Sequence, residues 1–233
     1  MLWASAPEGI DRELLAAAAQ GNVVQINRLL VQHANVNISD SAGQTPTQLA
    51  SAKGHESAVK VLIKHGGEVN SSDKIGGTPL MFAAMGGYSS IVHELLAAGA
   101  RVDSRNSLNM TALMYAVLSN HVAVAELLVK GGADVNAKSA KGTTVLIIAA
   151  SEGRATVANF LLAHGANPNQ ADENGWTPLM AATAHNDYEI AKTLTERGAD
   201  VNARDHHGYT ALRIASLQQS GTIVNILKQH GAK

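Results

Sequence analysis

The sequence predicts an all-α solenoid of repeated helix–turn–helix units with hairpin-like loops, because three columns of residues recur in one common phase. Threonine returns every 33 residues, at Thr45, Thr78, Thr111, Thr144, Thr177 and Thr210. Glycine keeps the same interval at Gly66, Gly99, Gly132, Gly165, Gly198 and Gly231, and Asn or Asp does so at Asn37, Asn70, Asp103, Asn136, Asn169 and Asn202. A fixed period between about 20 and 50 residues denotes a solenoid or a propeller, and the contents of the period decide which. Here they read helix, turn, helix, loop.

The first helix of each unit starts at its threonine. A threonine hydroxyl accepts from an orphan backbone N–H of the first turn, and the proline that follows Thr45, Thr78 and Thr177 suits a first helical position, where its missing N–H had no partner. A short apolar segment follows, such as Leu80-Met81-Phe82-Ala83-Ala84, and then a break at Gly54, Gly87 or Gly153. The second helix is the amphipathic run after the break, as in Val122 to Val129, with apolar residues at helical spacing. It ends at the glycine column, where a left-handed residue costs least. The rest of the unit, typified by Ala133-Asp134-Val135-Asn136 and Asp172-Glu173-Asn174-Gly175, carries turn chemistry: Asp and Asn bond their own backbone and Gly supplies positive φ.

At these residues the chain closely resembles the ankyrin repeat family. The pattern Asp-x-x-Gly-x-Thr-Pro-Leu, then Ala-Ala-x-x-Gly, then Leu-Leu-x-x-Gly-Ala-Asp-Val-Asn recurs in register over nearly the whole length. The resemblance implies that each unit is an antiparallel helix pair with a hairpin loop projecting at about a right angle, and that the units stack into a curved slab. One departure is systematic. The histidine that the family places three residues after the threonine is replaced by Gln48, Met81, Met114, Ile147, Met180 and Arg213, so apolar packing by methionine is expected in place of the family's polar link.

Six phased units, preceded by one without the Thr-Pro start, make seven, and seven periods of 33 account for nearly all of the 233 residues. The expectation is a single domain over residues 1–233: an N-terminal capping repeat at 1–37, five internal repeats over 38–206, and a C-terminal capping repeat at 207–233. In the first, Leu14 to Ala19 is the inner helix, Val23 to Val31 the outer one, and His33 takes the glycine position, since His tolerates positive φ better than most residues. In the last, Arg213, Ser216, Gln218, Gln219, Lys228 and Gln229 suit a cap whose outer face meets water. A complete array with no appended domain is expected.

Composition sets bounds. The chain is 45% hydrophobic but only 3% aromatic, so its core is one of alanine, leucine and valine at close helix spacing, in units too small to bury enough apolar surface alone. A net charge of −1 gives no electrostatic case for nucleic acid, which needs a basic face to displace counterions. No apolar run approaches the roughly 18 residues of a transmembrane helix. The absence of cysteine removes disulfide and thiolate chemistry and leaves the compartment open. A cytoplasmic, monomeric chain is expected; the alternative is a secreted or periplasmic one whose signal has been removed, since Ala4-Ser5-Ala6 faintly resembles a signal-cleavage site.

The residues offer little chemistry. His65, His164 and His230 share one place, just before the column glycine, where a histidine complements the helix dipole and the free carbonyls of the last turn. His55 and His121 are in phase at the starts of second helices. Only His206, His207 and His185 lie where ligands could converge, with no Cys or His-Glu-x-x-His spacing to make a metal site. Neither a phosphate-binding Gly-x-x-x-x-Gly-Lys loop nor a Gly-x-Ser-x-Gly nucleophile elbow occurs. No enzyme activity, cofactor or metal is therefore expected.

Function is to be sought where residues exceed what the repeat needs. Solenoids present surfaces built from equivalent positions of successive units, and the resemblance implies that these are the hairpin tips and the exposed side of the inner helices, on the concave face. The residue before each threonine reads Gln44, Gly77, Met110, Thr143, Trp176 and Tyr209. Three before it stand Ile75, Leu108 and His207, and seven after it Met85, Leu118 and Leu217. Two partner-binding patches are expected: Ile75, Met85, Leu108, Met110 and Leu118 in one, and Trp176, His185, His207 and Tyr209 in the other. Aromatic and Met enrichment on a rigid surface is the composition of binding hot spots. The competing expectation is that Trp176 and Tyr209 merely pack against neighbouring hairpins. The sequence thus points to a non-catalytic module that binds a protein or peptide partner, the alternatives being a regulatory or accessory subunit of an enzyme, or a small-molecule binder.

Overall fold

Each threonine of the column caps a helix, its Oγ1 accepting from the backbone N–H three residues on at 3.1–3.4 Å, from Gln48 through Arg213. These contacts set the frame of the computed structural model, which describes residues 9–233; the Ala4-Ser5-Ala6 stretch lies outside the described residues. The described residues form fourteen α-helices and no strand, with one isolated bridge between Lys138 and Thr144. They fall into two compact units, residues 9–107 with 111–133, and residues 108–110 with 134–233.

The first unit holds α1 (Gly9–Ala19), α2 (Val23–Val31), α3 (Pro46–Ala52), α4 (Glu56–Lys64), α5 (Pro79–Gly86), α6 (Ser89–Ala97), α7 (Ala112–Leu118) and α8 (Val122–Lys130). Consecutive helices pair as α1 with α2, α3 with α4 and so on, while α1, α3, α5 and α7 pack as one row and α2, α4, α6 and α8 as another. The inner row is buried along most of its length: Leu80, Met81, Ala83, Ala84, Leu113, Met114, Ala116 and Val117 are nearly or wholly inaccessible. Small alanines let the helices approach, and the leucines fill the space between them.

The second unit holds α9 (Val145–Ser151), α10 (Ala155–Ala163), α11 (Pro178–Ala184), α12 (Tyr188–Glu196), α13 (Ala211–Leu217) and α14 (Gly221–Gln229), with α9, α11 and α13 in the inner row and α10, α12 and α14 in the outer. Arg213, Ser216, Gln218, Gln219, Lys228 and Gln229 are all exposed.

The substitutions at the family's histidine column divide by chemistry. Met81, Met114, Ile147 and Met180 are buried and apolar, as expected. Gln48 is different: its Oε1 accepts the Thr45 N–H at 2.8 Å, closing a capping box, and its Nε2 donates to the Gly77 carbonyl, so a polar link survives there. Arg213 is exposed.

Every outer helix ends in the same way. The glycine column has φ between +83° and +91°, with His33 at +65° in the first repeat. The next residue donates back to the leucine five positions earlier, as from Ala133 to Leu128 and from Ala166 to Leu161, both at 2.9–3.0 Å. This closes a Schellman motif, and the buried alanine meets the buried leucine across it. His65, His164 and His230 place Nδ1 2.8–2.9 Å from the carbonyl four residues back, which satisfies a last-turn acceptor.

The Asn column is a correction to the reading of that segment as local turn chemistry. Asp134 does bond its own turn, accepting from the Asn136 N–H at 2.8 Å. Asn136 instead reaches into the next repeat: its Nδ2 donates to Gly165 O at 3.1 Å and its Oδ1 accepts from Asn167 N at 2.8 Å. Asn37, Asn70, Asn169 and Asn202 make the same pair of bonds, to residues 29 and 31 positions on. The primary amide both donates and accepts, so it can bridge an N–H and a C=O that no helix satisfies.

Candidate interaction surface

The hairpin tips are built by Asp side chains. Asp172 Oδ1 accepts from the N–H groups of Asn174 and Trp176, both at 2.9 Å, while Asp172 N donates to Trp176 O at 3.0 Å. Asp205 repeats this with His207 at 2.9 Å and Tyr209 at 2.7 Å. The His206 N–H donates to Asn174 O at 2.9 Å and so ties one tip to the next. Two tips of identical build therefore carry Trp176 and Tyr209 in register.

These two rings, both half-buried, line one open cleft of about 360 Å³ with Asp205, His207, Ile214, Leu217 and Gln218. Helix α13 and its C-cap residue supply the far wall, since Ile214, Leu217 and Gln218 share a face at i, i+3 and i+4. Leu217 is 68% exposed, and the Arg213 guanidinium lies 4.3 Å from the Tyr209 ring centroid. Of the second expected patch, Trp176, His207 and Tyr209 meet here. His185 does not line the cleft: its ring lies over Gly153, where an added Cβ would collide with Nε2. Ile214, Leu217, Gln218 and Arg213 were not among the expected site residues, although Leu217 occupies the same column as Met85 and Leu118, and Arg213 follows Tyr209 at helical spacing.

Of the first expected patch, Ile75 and Met85 line a narrower slot of about 140 Å³ with Gly77, Met81, Phe82, Asn106 and Tyr115. Gly77 leaves the pre-threonine position empty and Phe82 fills it; a Cβ on Gly77 would lie 3.0 Å from Phe82 Cζ. Asn106 Nδ2 donates to the Tyr115 hydroxyl at 2.8 Å. Leu118 is exposed on the first unit and does not line this slot, while Leu108, exposed, and Met110, half-buried, belong to the second. A larger cleft of about 630 Å³ in the first unit, lined by Asn70, Arg101, Asp103 and Arg105 among others, mixes both signs of charge and carries part of the Asn column.

Ionisable chemistry is sparse. Among the described residues no three His, Asp or Glu side chains converge to hold a metal, and no helix is long and apolar enough to cross a membrane. Among the described residues, one network in the first unit shifts its members. Lys60 Nζ stands 2.6 Å from Glu56 and 3.4 Å from Glu94; its hydrogen bond and charge hold the Glu56 carboxyl below the usual range, and bonds to both carboxylates raise Lys60.

The model of the family described as ankyrin repeats (3 copies) matches residues 6–73, 65–139, 132–205 and 172–233. The chain belongs to the ankyrin repeat family. Among solved structures, this ankyrin chain is similar to the human ASB11 ankyrin repeat domain, with a TM-score of 0.83 and 26% identity over 94% of this chain and 98% of that one. It is likewise similar to the ankyrin repeat domain of Bcl-3, described as a unique member of the IkappaB protein family, with a TM-score of 0.82 and 29% identity over 93% of this chain and 97% of that one. No curated protein sequence matches it significantly. Ankyrin repeat domains are generally protein–protein interaction modules and typically non-catalytic.

Proposed function

We propose that this ankyrin chain is a non-catalytic interaction module that binds a protein or extended peptide across its hairpin tips and inner-helix ends. The observation that carries this is the pairing of Trp176 and Tyr209 on consecutive tips beside the exposed Leu217. Aromatic side chains supply large contact area at low entropic cost, and rigid tips spare the ordering penalty that weakens flexible binders. His207 borders the same contact, and Ile75, Met85, Leu108, Met110, Leu118 and His185 widen the surface on their own units. The Trp176–Tyr209 cleft is open and largely apolar, which favours a polypeptide over a compact small ligand.

A standard interface would bury on the order of 800 Å² of this chain. Trp176→Ala and Tyr209→Ala, assayed for melting temperature and for capture of partners from cell extract, test the proposal. The expected result is a binding loss of at least about thirtyfold with folding nearly intact. Destabilisation with unchanged capture would show instead that the rings serve packing alone.

A further inference from the structure

Asp205 lines the Trp176–Tyr209 cleft, and the Arg213 guanidinium is stacked on one of its rings. Asp172 and Asp205 are each committed to two backbone N–H groups of their own hairpin, and the Asp205 side chain is only 7% exposed. Arg204, itself exposed, has a backbone partner, its Nη1 donating to Gly208 O at 3.2 Å. The Arg213 side chain has no such backbone partner among the described residues. It is exposed, its guanidinium is stacked on Tyr209, and among the described residues it makes no ion pair. Stacking engages the face of a guanidinium and leaves its edge, the donor fork that fits a carboxylate, for another partner. The exposed His207 borders the same opening, its Nδ1 3.9 Å from Asp205 Oδ2. The floor is apolar, made by Trp176, Ile214 and Leu217, and the volume of about 360 Å³ suits one large side chain with its flanking backbone.

We propose that this cleft takes an extended peptide segment in which a large apolar side chain lies within a residue or two of an Asp or Glu. The apolar side chain enters between Trp176, Tyr209 and Leu217, and the carboxylate takes the Arg213 fork. This rests on the interaction reading above and narrows it to one site and one partner chemistry.

The test selects short random peptides displayed on phage against the intact protein, then measures binding of the labelled winners to the wild type and variants. Enriched sequences should pair an apolar residue with Asp or Glu. Trp176→Ala and Leu217→Ser should each weaken them at least about tenfold, and Arg213→Gln at least about fivefold. Arg213→Lys, which keeps the charge and loses the fork, should fall between Arg213→Gln and wild type. On counterpart peptides carrying Asn or Gln in place of the acid, Arg213→Gln should have no effect. Winners that map to the cleft yet lack an acidic residue, or ignore Arg213→Gln, overturn this proposal and leave the interaction reading standing. Winners insensitive to Trp176→Ala and Tyr209→Ala, or no enrichment at all, remove the cleft as a peptide site, while whole-protein capture separately decides the broader reading.

Discussion

The imidazole of His121 lies against Gly87, so close that a Cβ there would stand 2.6 Å from its Cε1. The ring is held by Nε2, 3.1 Å from the carbonyl of Met85, one of the acceptors that the end of α5 leaves without a helical partner. His121 therefore starts α8 without capping it and closes the last turn of a helix in the previous repeat. His55 makes the same clamp over Gly21, bonding Ala19 O at 3.1 Å, and the Tyr88 ring covers Gly54.

The clamp predicts a difference between two glycines. Gly99 has φ +87° and open space around its α-carbon, so Gly99→Ala should cost only the left-handed backbone term, about 1–2 kcal/mol. Gly87, at φ +74°, adds a collision with the His121 ring, so Gly87→Ala should cost roughly 1–3 kcal/mol more. Adding His121→Ala should recover part of that excess in equilibrium unfolding. Equal costs for the two glycines would mean that the ring simply moves away.

Thr47 stands where the later repeats place Leu80, Leu113, Leu146, Leu179 and Leu212. It is wholly buried and its hydroxyl has no hydrogen-bond partner, as is also true of Ser51 one turn on. Thr183 and Ser216, at the place of Ser51, instead donate to the carbonyl four residues back. An unsatisfied buried hydroxyl costs about 1–3 kcal/mol, and an apolar isostere removes that cost. Thr47→Val should therefore raise stability by about 1 kcal/mol. A lower melting temperature for the variant would show that the hydroxyl is paired.

Asn169 tests the inter-repeat amides. Its Oδ1 accepts from Asp200 N at 2.7 Å and its Nδ2 donates to Gly198 O at 3.0 Å. Asn169→Ala should cost about 1–3 kcal/mol, because two backbone groups lose their partner. Asn169→Asp keeps the acceptor, loses the donor, and sets a carboxylate against a carbonyl. It should be as harmful at neutral pH and less so once protonated. A residue confined to turn formation would tolerate Asp without loss.

The Glu56–Lys60–Glu94 network predicts a pH and salt window. Glu56 is lowered by the Lys60 hydrogen bond and charge, so its contribution is present above its unfolded value and disappears as pH falls through the folded one. Lys60 is raised by Glu56 and Glu94, so its contribution is present below its unfolded value and disappears as pH rises through the folded one. The stability gap between wild type and Lys60→Met should be widest near neutrality, close at both extremes, and shrink in salt because the groups are solvent-exposed. A gap independent of pH would assign the effect to the lysine stem rather than to its charge.

Much of the fold was legible because its signals are local. Thr111 and Met114 are one helical turn apart, and so are the histidines and carbonyls that end the outer helices; caps and turns depend on residues within a few positions of each other. The candidate site was legible only in part. Trp176 and Tyr209 stood out because a small residue suffices at their column, as Thr143 shows, but nothing in their spacing indicated that His185 would turn to Gly153 while Leu217 and Arg213 joined the rings.

By itself, then, the sequence determined the period, the helices, their termini and the identity of the repeat. The tertiary structure decided that the Asn column bonds forward by 29 and 31 residues, that His121 reaches back 36 to Met85, that Thr47 is buried without a partner, and which side chains share a cleft. The physical reason is distance along the chain. A 33-residue period says which columns stack, but the rotation and separation of neighbouring helix pairs decide which side chains meet, and those are set by packing across repeats.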